Sequence, residues 1–598
     1  MAPNTDPFIQ SLVNKTSPKP YNQAVILSQK TINAAFANMW ALADPTSPMR
    51  SINLQTRDGE KLQGELLAPT IIVNVVDFTY MLYFQWNFKS GTMTLFTTDD
   101  PNNPTTKTFD LTKWVVAFGT ALTHDTIPPS DPSYAGYKER MGVPADSQFS
   151  LAKLYVKSQE TPGYYAEGSF FNGLDWSKES PIIQAHFEEL RYVWMDQMAN
   201  GGHTQVGVML QTEEPKSVNP TAPTFPPTSI DYGTYPWKDP TNPQAPNNDS
   251  DSNALCYLIM TNNARPPVPP SLPYSGTWVD ADATETGRGA ILCMNNAQFW
   301  EGWLLPLIQV INRASQIQPT TPVLEPYSDG GATVGLRYVP GTCTAHPDSD
   351  DTYYSFTRGS DNVNWTWSAT DSLLATNNVM KSGGNHWTLD QNATANTSLK
   401  FTAGGNGGIF TLTGNNTVGM KCSSSGDWDS NSTMSFTMQF TLIYVAQRVD
   451  DGGVQILQSG TTEVTKGPVK TYHSEGVKWT PTLDEYGATL QTYAAAAFQA
   501  QLGQYQAALL EGLAGQHKLF LPGGGSYLCN QVMFNATGDL LTNLAFNGAA
   551  PPGENAEIPS FLLDAPPRQY PQPFIPTPLQ EVRSLLMKPV RVGGRKER

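Results

Sequence analysis

Side chains able to do chemistry are scattered along this sequence without the spacing that chemistry needs. Asp249, Asp251 and Asn253 imitate the start of a calcium loop, whose alternate oxygens would converge on one ion. The required glycine is replaced by Ala254, and the twelfth position holds Met260 where a bidentate glutamate belongs. Asp348, Asp350 and Asp351 form another acidic cluster, read as a solvated turn. None of the seven histidines pairs with another at i, i+4. His186 precedes Glu188 and Glu189, which could suggest acid–base work. The simpler reading makes the glutamates a solvent face and places His186 beside an apolar stripe. GxSxG, HExxH, Walker A and Rossmann patterns are missing, and the glycine runs at 404–408 and 523–525 read as turns. Five cysteines lie far apart without a CxxC pair, and inert thiols are expected. No catalytic residue, metal site or cofactor is assigned.

Trp365, Trp367, Trp387 and Trp428 sit among Asn, Gly, Ser and Thr. Exposed, they could stack on sugars; buried, they are sheet core. That leaves a carbohydrate-binding or carbohydrate-active alternative resting on the tryptophan-rich stretch 322–480.

The chain has 598 residues, 48 Gly, 48 Pro and only 15% charged residues, a balance that favours strands, turns and uncharged loops over a coiled coil. A net charge of −16 lacks the basic footprint of a nucleic-acid binder. No apolar run reaches the length of a transmembrane segment, and residues 1–20 show no secretory h-region. The expectation is a cytoplasmic protein, or one exported without a recognisable signal peptide. Eight N-x-S/T sequons point the other way, but a chain this rich in Asn, Ser and Thr makes them by chance.

Four helices are expected. The first, about 22–42, places Val25, Ile32, Phe36, Met39 and Trp40 at helical spacing. The second, about 181–199, has Ser180 as N-cap and Ile183, Phe187, Leu190, Trp194 and Met198 as its stripe. The third, about 297–316, presents Phe299, Trp303, Leu307 and Ile311, with a kink expected at Pro306. The fourth, about 483–513, opens on a capping box of Thr482 and Glu485.

Two strand signals stand out. Val76, Phe78, Tyr80, Leu82, Phe84, Trp86 and Phe88 alternate over one stretch, which ends in an expected turn at Lys89-Ser90-Gly91. Met434, Phe436, Met438, Phe440, Leu442 and Tyr444 alternate over the other, with a turn at 450–453 and a return strand. Each long strand is followed later by an amphipathic helix. These faces must be buried against something. Plain core packing is one solution, and a cavity lined by them for an apolar ligand is the other.

The chain divides into a helix-plus-long-strand unit at 1–212, a Pro-rich insert or cover at 213–275, and a strand with the kinked helix at 276–321. A second long-strand-plus-long-helix unit follows at 322–550, then a Pro-rich tail with a basic end at 551–598.

Four segments carry a family resemblance: LQGELLAPTIIVNVVDF, DLTKWVVAFGTAL, GAILCMNNAQFWEGWLLPLI and FLPGGGSYLCNQVMFNATGDLL. In these the chain resembles the TULIP (tubular lipid-binding) superfamily, especially the accessory proteins encoded beside clostridial neurotoxins. The resemblance implies an elongated α+β fold of long curved antiparallel sheets wrapped around long amphipathic helices, in two related units. It implies non-enzymatic binding of a lipid or other hydrophobic ligand. The lining candidates are then Val76 to Phe88 and Met434 to Tyr444 on their alternate positions. A structural or protein-interaction component of a larger assembly is the alternative, with a protein partner in place of an apolar one. The Pro-rich stretch at 213–250 departs from the family pattern.

Overall fold

The computed structural model describes residues 6–546 except 56–58, 74, 76–80, 99–101, 141–149, 159–167, 202, 212–224, 226, 245–249, 282–287, 319–322, 327–332, 338–341, 344–350, 362, 372–377, 383, 404–406, 428, 449–453, 461, 476, 510–518 and 521–526. The fold is α+β, built largely of antiparallel sheets. Among the described residues no helix is long and apolar enough to cross a membrane.

A six-stranded sheet draws on distant parts of the chain. Its order is Pro227–Tyr235, Ala254–Thr261, Gln23–Ser28, Ala290–Met294, Leu540–Phe546 and Tyr527–Phe534. Every residue of Gln23–Ser28 and Ala254–Thr261 is buried, because both faces of the sheet are covered. Val25, Leu27, Leu255 and Tyr257 join one core, and Ala24, Ile26, Cys256 and Leu258 join another. Two strands of this sheet come from the 213–275 stretch.

Residues 22–28 were expected to start the first helix. The structure makes them a strand, and the helix begins at Gln29. A continuous Ala-Val-Ile-Leu run suits a strand buried on both faces, and Ser28 then caps the helix by accepting from the Thr31 N–H.

The N-terminal sheet has nine strands. Helix α1 (Gln29–Leu42) precedes β1 (Lys61–Leu66), β2 (Met81–Phe96), β3 (Val115–Ile127) and β4 (Ser150–Ser158). Helix α2 (Pro181–Asn200) and β5 (Gln205–Gln211) follow. Strands β1 to β5 are consecutive neighbours in the sheet. Ser180 Oγ caps α2 by accepting from the Ile183 N–H at 3.3 Å, and the whole expected stripe of α2 is buried.

The turn expected at 89–91 is absent, since β2 runs through it to Phe96. Gly91 lies opposite Gly64 of β1. A Cβ on Gly91 would stand 2.5 Å from the Gln63 carbonyl oxygen and 2.8 Å from the Gly64 Cα. Glycine here serves a close crossing of two strands.

The C-terminal sheet also has nine strands and holds the longest ones. Helix α3 (Leu305–Ser315) comes first in sequence, followed by β6 (Asn364–Asp371), β7 (Asn378–Ser382) and β8 (Asn385–Thr402). Next are β9 (Ile409–Ser425), β10 (Ser430–Arg448), β11 (Val454–Gln458) and helix α4 (Leu483–Leu509). The main order is β6, β8, β9, β10, β11, with β7 pairing on the same edge of β8 as β6. At about 3.3 Å per residue, a strand of 18 residues spans roughly 60 Å.

Helix α3 continues a helical start at Asn296–Phe299 through a π turn at Trp300–Leu304. The wide turn falls just before Pro306, which has no N–H to give an α-helical ladder. Helix α4 begins with the expected capping box. The Thr482 N–H donates to Glu485 Oε2 at 3.0 Å, and the Glu485 N–H donates to Thr482 Oγ1 at 3.3 Å.

Candidate ligand-binding face

The inner face of the C-terminal sheet is built in rows across β8, β9 and β10. Side chains of a strand alternate between faces, so the register of the ladders decides which residues share a row. From one end to the other the rows are Leu389–Cys422–Ser432, Gln391–Met420–Met434, Ala393–Val418–Phe436 and Ala395–Asn416–Met438. They continue as Thr397–Gly414–Phe440, Leu399–Leu412–Leu442 and Phe401–Phe410–Tyr444. Apart from Gly414, all these residues are buried. The opposite face carries Asp390, Asn392, Thr394, Asn396, Ser398 and Lys400 along β8, each exposed or half-buried.

Helices α3 and α4 lie on the inner face. Small residues keep the packing close on β8: Thr397 bonds to α3, and Ala395 packs with Tyr354, whose carbonyl accepts from Asn312 of α3. Phe440 folds over Gly414, where a Cβ would stand 2.4 Å from the ring, and meets Phe498 of α4. Gly487 brings α4 against the sheet, since a Cβ there would stand 3.1 Å from Met434 Cγ.

Polar side chains peg α3 in place. Thr397 Oγ1 donates to Asn312 Oδ1 at 2.5 Å, and Asn416 Nδ2 donates to the Ser315 carbonyl at 2.8 Å. At the far end, Trp479 Nε1 donates to Ser432 Oγ at 3.1 Å. Gln391 differs. It is 2% exposed, and neither its Oε1 nor its Nε2 has a hydrogen-bond partner. A buried amide left in that state costs about 1–3 kcal/mol.

The expected lining residues are therefore placed as follows. Met434, Phe436, Met438, Phe440, Leu442 and Tyr444 all lie on the inner face of β10, in one core with α3 and α4. Leu82, Phe84, Trp86 and Phe88 lie on the buried face of β2, in a separate core with α1 and α2. There Trp86 stacks on Trp194 at 4.4 Å, and Phe84 meets Phe36 edge-on at 5.9 Å. Val76, Phe78 and Tyr80 lie outside the described residues. Sequence reading missed β8 and β9 as long strands and with them Gln391, Ala393, Asn416 and Met420. The outward polar alternation of Asp390 to Lys400 was the available signal.

The chemistry-bearing candidates resolve simply. His186 Nδ1 lies 3.1 Å from a carboxylate oxygen of buried Glu60, whereas Glu188 pairs with Arg191. Asp251 accepts from Gln29, and Asn253 accepts from the Trp237 N–H, so both are held by packing contacts. Asp249, Asp348 and Asp350 lie outside the described residues. Among the described residues no group of His, Cys, Asp and Glu could hold a metal ion. Trp365, Trp367 and Trp387 are 0–6% exposed, with Trp300 stacked on Trp365 at 4.1 Å, so these three are core and present no sugar-stacking face. Trp428 lies outside the described residues. Burial, and behind it the Asp390 carboxylate, pushes the Cys422 thiol up to about 12.

No protein-family model matches the chain, and no curated protein matches it. Solved structures do. P47 from Clostridium botulinum A2 is 11% identical, with 89% of this chain and 98% of that one covered, at a TM-score of 0.43. P47 of Clostridium botulinum E1 is 11% identical over 88% and 99%, at 0.41. A lipopolysaccharide binding protein is 10% identical over 88% and 99%, at 0.27. The likeness runs along most of the chain in each case, is loose in geometry, and assigns no ligand to this protein.

Proposed function

We propose that this protein binds a lipid or other hydrophobic molecule, without catalysis, between the inner face of β8–β9–β10 and helices α3 and α4. The observation that supports this reading is the depth of the apolar face: seven consecutive inward rows across three strands of 17–19 residues. Ordinary strands run about 5–6 residues, so an ordinary two-layer core needs far less. Methionines on three of the ten β9 and β10 positions in the first five rows add adaptable lining. An acyl chain entering this face would gain roughly 0.8 kcal/mol per buried CH₂. The β2 face with α1 and α2 is, on the same reading, a related second unit.

The test is native mass spectrometry of the purified protein, followed by organic extraction and lipid identification. The expected result is a stoichiometric apolar ligand, or uptake of an added one by protein purified without it. A clean protein that refuses fatty acids, long-chain amides and phospholipids would sink the proposal and leave both faces as plain core.

A further inference from the structure

Among the described residues, buried polar side-chain atoms on the inner face of the C-terminal sheet that no neighbour uses include the Trp365 indole N–H of β6 and the Gln391 amide of β8, and of the two only the amide is left with both a donor and an acceptor. Thr397, Asn416 and Ser432 each bond to a neighbouring element. Gln391, in the same face, bonds to nothing through either amide atom. Its neighbours in the ladder are apolar: Met420 lies opposite, Met434 lies beyond it, and Leu389 and Ala393 flank it on β8. All four are at most 3% exposed.

The group such an amide would hold has to be uncharged. The buried charged side chains among the described residues are Glu60, Lys138, Arg191 and Asp539, and all of them belong to other elements. An ionised head group would be buried here without a counter-charge, which is strongly unfavourable. A carboxamide offers one acceptor and a donor side by side. Its best complement is a group offering a donor and an acceptor in the same plane, forming two bonds at once.

We infer that Gln391 is the polar anchor of the proposed ligand site, and that the ligand is an acyl chain ending in an uncharged donor–acceptor group, a primary amide being the closest match. The inference rests on the proposed ligand-binding reading. It adds the head-group chemistry and the direction in which the chain lies, with the head at Gln391 and the tail along the rows toward Phe401 and Tyr444.

The experiment is displacement of the neutral fluorescent reporter N-phenyl-1-naphthylamine by dodecanamide and by tridecane, using the full chain. Dodecanamide gives up its hydration on entry and tridecane does not, so the reading is the ratio of the two affinities compared between proteins. That ratio is expected to favour dodecanamide about tenfold more in wild type than in Gln391→Met, the effect of a made against an unmade buried hydrogen bond. Gln391→Met, close in shape, is expected to keep its affinity for tridecane and melt no lower than wild type. An unchanged ratio in Gln391→Met would overturn the inference while leaving hydrophobic binding intact; a water molecule serving Gln391 would give that result. Should Gln391→Met not fold, the same ratio read in Gln391→Leu decides. A protein that takes up neither reporter nor either compound fails the binding reading itself, and the inference with it.

Discussion

Phe440 of β10 and Phe498 of α4 meet with ring centroids 4.7 Å apart, and Gly414 of the neighbouring strand β9 is what lets them. The Phe440 ring lies across the space where a side chain at 414 would stand. Any Cβ there must push the ring toward the helix. Gly414→Val is expected to destabilise the protein by about 1–3 kcal/mol, the usual range for overpacking. The urea midpoint would show it. The same substitution in a Phe440→Ala background should cost far less, because the ring it collides with is gone. Equal costs in the two backgrounds would show that Gly414 acts through the backbone instead.

Trp86 and Trp194 tie β2 to α2 in the same way, stacked at 4.4 Å. Trp194 Nε1 also donates to the Pro48 carbonyl at 2.9 Å. Trp194→Phe keeps most of the apolar contact and removes that bond, so a loss of about 1 kcal/mol is expected. Trp86→Ala removes a fully buried ring and should cost about 3–5 kcal/mol. Thermal denaturation followed by tryptophan fluorescence would rank the two, and a larger loss for Trp194→Phe would contradict this packing.

Much of the C-terminal sheet and of helix α4 was legible where the signals were local. The capping box at Thr482 and Glu485 spans three residues, and the β10 alternation is carried by large side chains. Strand β8 was not legible, and the reason is physical. Its inward positions Ala393, Ala395 and Thr397 are small, with Thr397 bonded to α3 and Ala395 packed with Tyr354, so the apolar alternation fades where the packing is closest. Gln23–Ser28 was misread because Val25 happens to fall seven residues before Ile32. Burial on both faces, which decides that it is a strand, comes from residues more than 200 positions away. The Gly64–Gly91 crossing and the Glu60–His186 pair are likewise long-range facts that no local pattern encodes.

His203 gives a pH prediction. Its Nε2 lies 3.0 Å from Ser47 Oγ, and burial holds the imidazole below its usual 6.5. Above that value the residue is neutral in folded and unfolded chains alike, and its contribution is fully present. Below it the unfolded chain takes up a proton that the folded one resists, so stability falls as pH falls. His203→Gln is expected to lose less stability than wild type between pH 7 and pH 5.5. Urea midpoints of both proteins across that range are the measurement. Parallel curves would mean that His203 titrates normally in the folded protein.

The cysteines give a chemical one. Cys256 and Cys293 are fully buried, and Cys422 is 1% exposed. Burial raises all three thiols, with Asp539 adding to the effect at Cys293 and Asp390 at Cys422. The thiolate is the reactive form, and it is scarce at neutral pH in such settings. An aromatic disulfide reagent at pH 7.5 is therefore expected to leave these three unmodified in the folded protein and to label them in denaturant, with peptide mapping to identify the sites. Cys422 carries the sharper version of this test. It shares the inner face with Gln391 and lies one row away, on the strand opposite. If the proposed ligand enters that end of the face, an apolar maleimide on a long alkyl chain, held beside Cys422, should label it slowly over hours through the scarce thiolate where a charged one does not, and bound dodecanamide should slow that labelling further. Labelling of Cys422 by both reagents at one rate would mean that this end of the sheet opens to water, and the apolar character assigned to it would be withdrawn.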